Sequence, residues 1–421
     1  MRPGKVGRLP TSAASWDLHA AIERLAALND DPAAGGVTRE VFTPTYAAAT
    51  EQVAEAMRLA GLSVRTDAFG NLRGRWPGAD PGTPAVLTGS HYDTTLNAGR
   101  FDGVVGVLGA IAAVRRLRDA GFAPARSIDV IGFAGEEPRF GSGCIGSRAF
   151  MGQLTRADLD RMHDRHGTSL AEALRGYGLD PDAVPEAAED PSSIHVFVEL
   201  HIEQGAVLEA AGVPIGVVTR IAAPHDLRLT WTGAATHAGA TPMHLRHDAL
   251  AGAAEAMVEL ERLACDAPSG TAVGTVGVLG VAPGAINVVP GEVRMEVDIR
   301  DSDLDARNGV VDGFLAAARV IAARRGLELA VETITQDTPA ECSPLVVEAA
   351  RAACAELEIP YREMISGAYH DAMVLGAEIP MGMIFVPSAG GVSHHPDEYT
   401  APEELDRGVA VLAGALARLA G

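Results

Sequence analysis

Residues 86–91 read VLTGSH, residues 102–121 read DGVVGVLGAIAAVRRLRDAG, and residues 127–135 read SIDVIGFAG. The first and third are short apolar runs of strand length, and the middle stretch has the length and apolar spacing of a helix. Strand, helix and strand in that order, with apolar strands, predict an α/β sheet covered on both faces. Outward from this unit, residues 15–29 and 46–62 carry apolar positions at helical spacing, and residues 62–76 alternate as a strand pair turning at Gly70-Asn71. A polar stretch, 151–192, is read as an excursion over the surface before HVFVELHIEQG (195–205) returns to the sheet.

From about residue 213 the texture changes. VPIGVVTRI, DLRLTWTG, a helix at 247–265, TAVGTVGVLG, VRMEVDIRDSD and a helix at 304–325 follow one another. This is an α+β pattern and predicts an inserted domain over 213–330, leaving 1–212 and 331–421 as one discontinuous domain. After 330 strands and helices alternate again, through MGMIFVPS to a last helix at 402–420.

Acidic residues outnumber basic ones 55 to 34, for a formal charge of -21 over 421 residues. That argues against a nucleic-acid partner, since phosphates demand a basic surface. No apolar run reaches membrane-spanning length, and the N-terminal MRPGKVGRLPTSAASWD lacks the apolar core of a secretory signal. Cys144, Cys265, Cys342 and Cys354 are scattered without a paired spacing, which points to a reducing cytoplasm. Lys5, in the N-terminal tail, is the only lysine. A lysine Schiff base, a phosphate-loop lysine and a carbamylated-lysine metal bridge are thereby disfavoured, and arginine must do the cationic work.

Five polar clusters stand near strand ends or a helix start: His91-Tyr92-Asp93, Arg100-Phe101-Asp102-Gly103, Gly135-Glu136-Glu137, the run Glu199–Gly205, and Ser393-His394-His395. Each has an ordinary explanation: a surface turn, a helix N-cap at Asp102, a solvated glutamate pair. Together they offer histidines and carboxylates where open α/β sheets bind ligands. Such a mixed nitrogen and oxygen set suits zinc, manganese, cobalt or nickel. Two metals sharing a carboxylate suit hydrolysis of a stable bond. Asp93 is expected to hold the second ring nitrogen of His91.

In order along the chain, GSHYDTTLNAGRFDGVVGV, GFAGEEPRFGSGCIGSRA, ELHIEQGAVLE, THAGATPMHLRHDA, INVVPGEVRMEVDIRDSD and SGAYHDAM resemble the hydantoinase/carbamoylase family of amidases, relatives of the aminoacylase and carboxypeptidase metallohydrolases. The likeness runs from GGVTREVFTP (35–44) to SHHPDEYT (393–400). It implies a three-layer α/β/α catalytic domain with an inserted ferredoxin-like dimerisation domain. It further implies two divalent metals per subunit, zinc or manganese first, cobalt or nickel as alternatives. His91, Asp102 and His201 would hold one ion, and Asp102, Glu137 and His394 the other, with Asp102 bridging. Glu136 would be the general base, and His237 would support the developing oxyanion. Asn287, Arg300, Gly367 and His370 would bind substrate, Arg300 because its planar fork meets a carboxylate with two hydrogen bonds. His237 and Asn287 would serve either their own site or a partner's in the homodimer.

The implied reaction is hydrolysis of the C–N bond of a small acidic ureido substrate, releasing ammonia and carbon dioxide. VTRIAAP replaces a Gly-Gln pair that carbamoylases and allantoate hydrolases carry, and Tyr369 stands where many carbamoylases have a small residue. Both features favour ureidoglycolate over an N-carbamoyl-L-amino acid or allantoate. A peptidase of the same clan is disfavoured by His201 in HIEQG, and a metal-dead binding protein by the intact ligand set with Glu136.

Overall fold

The computed structural model describes residues 16–80 and 82–421. Lys5 and Ser15, the first residue of the expected first helix, lie outside them. The strands are β1 (Ser63–Thr66), β2 (Leu72–Trp76), β3 (Ala85–His91), β4 (Ile128–Phe133), β5 (Ile194–Ile202), β6 (Ile215–Ile221), β7 (Ala223–Thr232), β8 (Thr236–His237), β9 (Val273–Ala282), β10 (Val288–Val289), β11 (Glu292–Asp301), β12 (Glu328–Gln336), β13 (Ala340–Glu341), β14 (Tyr361–Ser366) and β15 (Met381–Val386). The chain divides into two compact units. The larger comprises the described residues up to Thr219 with Glu341–Met364 and His370–Gly421; the smaller comprises Arg220–Ala340 with Ile365–Tyr369.

The large sheet has the order β1-β2-β4-β3-β5-β15-β6-β13, with β14 also on β6. Its centre is parallel: β3 pairs in parallel with β4 and β5, and β15 with β5. Every residue of β3, β4 and β15 is buried. A strand without an exposed face needs cover on both sides, so the apolar reading of VLTGSH and SIDVIGFAG follows directly into a three-layer α/β/α architecture. The helix Val104–Asp119 lies against β3 and β5, and the helix Pro402–Ala420 against β15 and β5. Gly70-Asn71 forms the expected turn between antiparallel β1 and β2. The stretch 151–192 is more than a surface excursion: Leu159, Leu170, Leu174 and Val184 are buried in the main core. Its apolar residues fall on the inward sides of three short helices, Arg156–Arg161, Leu170–Tyr177 and Pro181–Ala187.

The smaller unit runs β7, helix Ala249–Cys265, β9, β11, helix Leu304–Arg325, β12, and its sheet order is β12-β7-β11-β9 with every pairing antiparallel. This is the ferredoxin-like arrangement. Along β11, Val293, Met295, Val297 and Ile299 are buried with Trp231 and Phe314, and the residues between them face outward. The expected bounds 213–330 shift for a reason of strand pairing. β6 joins β15, so 213–219 belongs to the larger unit. β12 joins β7, so the smaller unit continues past 330 to Ala340. No helix among the described residues is long and apolar enough to cross a membrane.

Candidate active site

The parallel order β4-β3-β5-β15 brings four strand ends to one edge of the sheet. β3 ends in His91, the loop after β4 carries Glu136 and Glu137, His201 is the penultimate residue of β5, and the loop after β15 carries His394. Asp102 lies where the chain enters the helix Val104–Asp119. It is not the N-cap; Gly103 is, and no side-chain cap bond forms. Gly103 has φ +64°, and a Cβ there would stand 2.4 Å from the His91 ring. The turn therefore demands glycine on both counts.

Asp102 stands between two ligand sets. Its Oδ1 lies 3.2 Å from His201 Nε2 and 3.8 Å from His91 Nε2, and its Oδ2 lies 2.9 Å from His394 Nε2. His394 Nε2 is also 3.5 Å from Glu137 Oε1. Donor atoms of His91, Asp102 and His201 fall within 4.8 Å of one another, as do those of Asp102, Glu137 and His394. The tautomers follow from the outer contacts. His201 Nδ1 donates to the Ile202 carbonyl at 2.9 Å, and His91 Nδ1 donates to the Asp93 carbonyl at 3.2 Å. In its neutral form each ring would thus turn the bare lone pair of Nε2 inward. Asp102 Oδ1 is buried and accepts no hydrogen bond. Carboxylate and imidazole donor atoms converging at this range fit a cation between them, so the donor set fits divalent metal ions.

Asp93 acts differently from expectation. Its carboxylate lies 3.6 Å from His91 Nδ1, farther than its own carbonyl. It accepts instead from the backbone N–H groups of Gly135, Glu136 and Glu137 at 3.2, 3.3 and 3.1 Å. The acid thus folds the loop that presents the two glutamates, while its backbone orients the histidine. Glu136 and Glu137 are no solvated pair: Glu137 is 5% exposed. Burial, then repulsion from Asp102, pushes Glu137 up to about 7. Burial with Glu137, Asp371 and Asp102 nearby raises Glu136 well above the carboxylate range, against the pull of His91. Glu136 Oε2 lies 3.7 Å from His91 Nε2, and the Cys144 thiol donates to Glu136 Oε1 at 3.6 Å. Asp102 is held well below the ordinary range: burial opposes ionisation, but the histidines around it, His201, His394 and His91, outweigh it.

His370 joins the same cluster, its ring centroid 4.5 Å from that of His201. Sequence reading assigned no role to Gln204, Asp371 or Glu398. Gln204 Nε2 donates to Asp102 Oδ2 at 2.9 Å. Asp371 is fully buried, accepts from Ser147 Oγ, and is pushed up to about 7 by burial and then Glu199. Glu398 accepts from the backbone of Asp102. Asp371 and Glu398 were visible only as acids inside SGAYHDAM and SHHPDEYT.

The remaining candidates lie in the smaller unit. His237 on β8 and Asn287 just before β10 share a short ladder, with Ala238 N donating to Asn287 O at 2.9 Å. His237 Nδ1 accepts from Gly239 N and Ala240 N at 3.0 and 3.1 Å, which leaves the proton on an exposed Nε2. Arg300 Nη1 approaches the Gly367 carbonyl at 3.5 Å.

Comparisons with known proteins give the family of the chain. Residues 86–418 match peptidase family M20/M25/M40. The chain is 42% identical to a ureidoglycolate hydrolase of Arabidopsis thaliana, over 99% of this chain and 90% of that protein. It is 45% identical to an N-carbamoyl-L-amino acid amidohydrolase of Geobacillus stearothermophilus, over 90% of this chain and 92% of that protein. The crystal structure of a hydantoinase/carbamoylase family amidase from Burkholderia multivorans superposes with a TM-score of 0.87 at 34% identity, covering 96% of this chain and 97% of that one. The chain belongs to peptidase family M20/M25/M40, in its hydantoinase/carbamoylase amidase branch.

Proposed function

We propose that this hydrolase cleaves the C–N bond of a linear ureido acid, releasing ammonia and carbon dioxide, and that ureidoglycolate is its substrate. The observation that carries the reading is Asp102, whose two oxygens face two separate ligand sets with Glu136 beside them. Two divalent ions per subunit, zinc or manganese before cobalt or nickel, complete it. Bound there, they would polarise the ureido carbonyl and acidify a water molecule. Glu136 takes the proton of the attacking water and passes it to the leaving nitrogen. Its buried setting, which favours the protonated form, suits the second half of that task. His237 offers Nε2–H to the oxygen that gains charge. Arg300, with Asn287, Gly367 and His370, anchors the substrate's acid group.

Ureidoglycolate is favoured by the narrowing Tyr369 and by likeness to the plant ureidoglycolate hydrolase over 99% of the chain. The 45% identity to the Geobacillus amidohydrolase supports N-carbamoyl-L-amino acids as the second reading. A homodimer built through the smaller unit belongs to the proposal. β9 is one of the two edge strands of that sheet, and its Val273, Val278 and Leu279 are exposed. Uncharged apolar edges of this kind are ordinarily covered. The four free thiols suit a reducing compartment, the cytoplasm.

Ammonia release should be followed from ureidoglycolate, allantoate, N-carbamoyl-L-amino acids and N-carbamoyl-β-alanine after loading with manganese or zinc. The highest kcat/KM is expected on ureidoglycolate. Preference for an N-carbamoyl-L-amino acid selects the second reading, and no ammonia from any ureido acid sinks both.

A further inference from the structure

We propose that Glu398 is a positioning residue: it fixes the separation of Asp102 and His394 and thereby sets how tightly the ion shared by Asp102, Glu137 and His394 is held. This rests on the metal reading above and concerns a residue with no part in the ligand set.

Glu398 is 2% exposed. Its Oε1 accepts from Phe101 N at 2.8 Å and from Asp102 N at 3.1 Å, and its Oε2 accepts from Ser393 Oγ at 2.9 Å. One carboxylate therefore ties the peptide that carries the bridging aspartate to the residue immediately before His394. The two segments are joined by nothing nearby in sequence; residues 102 and 398 are 296 positions apart.

His394 has particular need of such a tie. It is the one exposed member of its ligand group, its φ is +54°, and it sits in a loop rather than on a strand. His91 and His201 are held by β3 and β5 themselves. A ligand on an irregular loop lacks the continuous ladder that holds a strand residue, and outer contacts of this kind govern metal affinity. The local chain makes room for the carboxylate: a Cβ at Gly99 would stand 2.1 Å from Glu398 Oε1. Any other residue there would push the side chain out of the position from which it reaches both segments.

The test is a titration of metal-free protein with Mn²⁺ alone, following bound metal by equilibrium dialysis and elemental analysis, with no substrate present. The parent should bind two equivalents. Glu398→Ala removes this tie, and Glu398→Asp keeps the carboxyl group but shortens the reach. Both variants should weaken one equivalent by roughly ten- to a hundredfold and leave the other near the parental affinity, the usual scale for an outer contact. Circular dichroism and melting of the metal-free proteins check that they fold; if the alanine variant does not, the aspartate variant decides. Parental affinity for both equivalents in Glu398→Asp overturns the inference. So does equal weakening of both equivalents, which would make Glu398 a general support of Asp102. If the parent itself binds no Mn²⁺, the metal reading fails first and this inference fails with it.

Discussion

Arg300 is gripped by Asp298, two residues earlier on the same face of β11: Nε lies 2.9 Å from both carboxylate oxygens, and Nη2 lies 2.7 Å from Oδ2. Asp226 stands opposite Asp298 in the β7–β11 register. Burial, then Asp298, pushes Asp226 up to about 6, and Arg300 offsets part of that. One guanidinium thus answers two acids, and its orientation is settled before any substrate arrives.

Loss of that guanidinium should be costly only when the substrate is an acid. Removing one side of a desolvated Arg–carboxylate contact costs about 2–5 kcal/mol, so Arg300→Ala should lower kcat/KM by roughly thirtyfold or more. Arg300→Lys should also be poor, because a point charge does not reproduce the fork. A neutral amide analogue should be nearly indifferent to either change. Equal loss on both substrates would make Arg300 a structural partner of Asp298.

Glu136 and Asp102 should fail in different ways. Glu136→Gln is expected to keep its metals and its fold while turnover falls by roughly a hundredfold or more, the scale of general-base catalysis. Asp102→Ala should lose metal, because its two oxygens face both ligand sets. Elemental analysis beside a rate assay separates them. Full activity in metal-loaded Glu136→Gln, or two equivalents bound by Asp102→Ala, would contradict these roles.

Metal uptake should compete with protons. The hydrogen bond to Asp102 raises His394 from 6.5 to about 9. In metal-free protein the stabilisation from that pairing is complete below 6.5 and disappears as pH rises through about 9. Glu137, raised from 4.5 to about 7, favours its neutral form in the fold, so it too holds its proton near neutrality. Both must deprotonate to act as ligands. Affinity should therefore climb with pH until about 9, with proton release measurable by calorimetry in buffers of different ionisation enthalpy. A flat affinity across that interval would exclude the competition.

Dimer exchange tests whether His237 serves its own subunit or another. If it works across an interface, a His237→Ala chain mixed with a Glu136→Gln chain should regain part of the parental activity, since one site of the heterodimer is then intact. No recovery after verified subunit exchange would assign each site to a single chain.

By itself the sequence determined whatever depends on neighbours along the chain. Apolar runs such as VLTGSH specify buried strands, since a strand without a polar face must be covered twice. The spacing of DGVVGVLGAIAAVRRLRDAG specifies a helix, and the motifs supply the ligand types at strand ends. Tertiary structure decided what depends on pairings across long separations. β6 and β12 changed the expected domain bounds because hydrogen bonding to β15 and β7, invisible in local periodicity, places each strand in its sheet. The Asp93 carboxylate turned from His91 to the peptide groups of 135–137 because three converging N–H donors hold an acid better than one distant ring nitrogen. Glu398 acquired its role only when folding brought it to Asp102: a carboxylate that reads as one more surface acid in SHHPDEYT becomes a clamp once it is buried against donors from two segments.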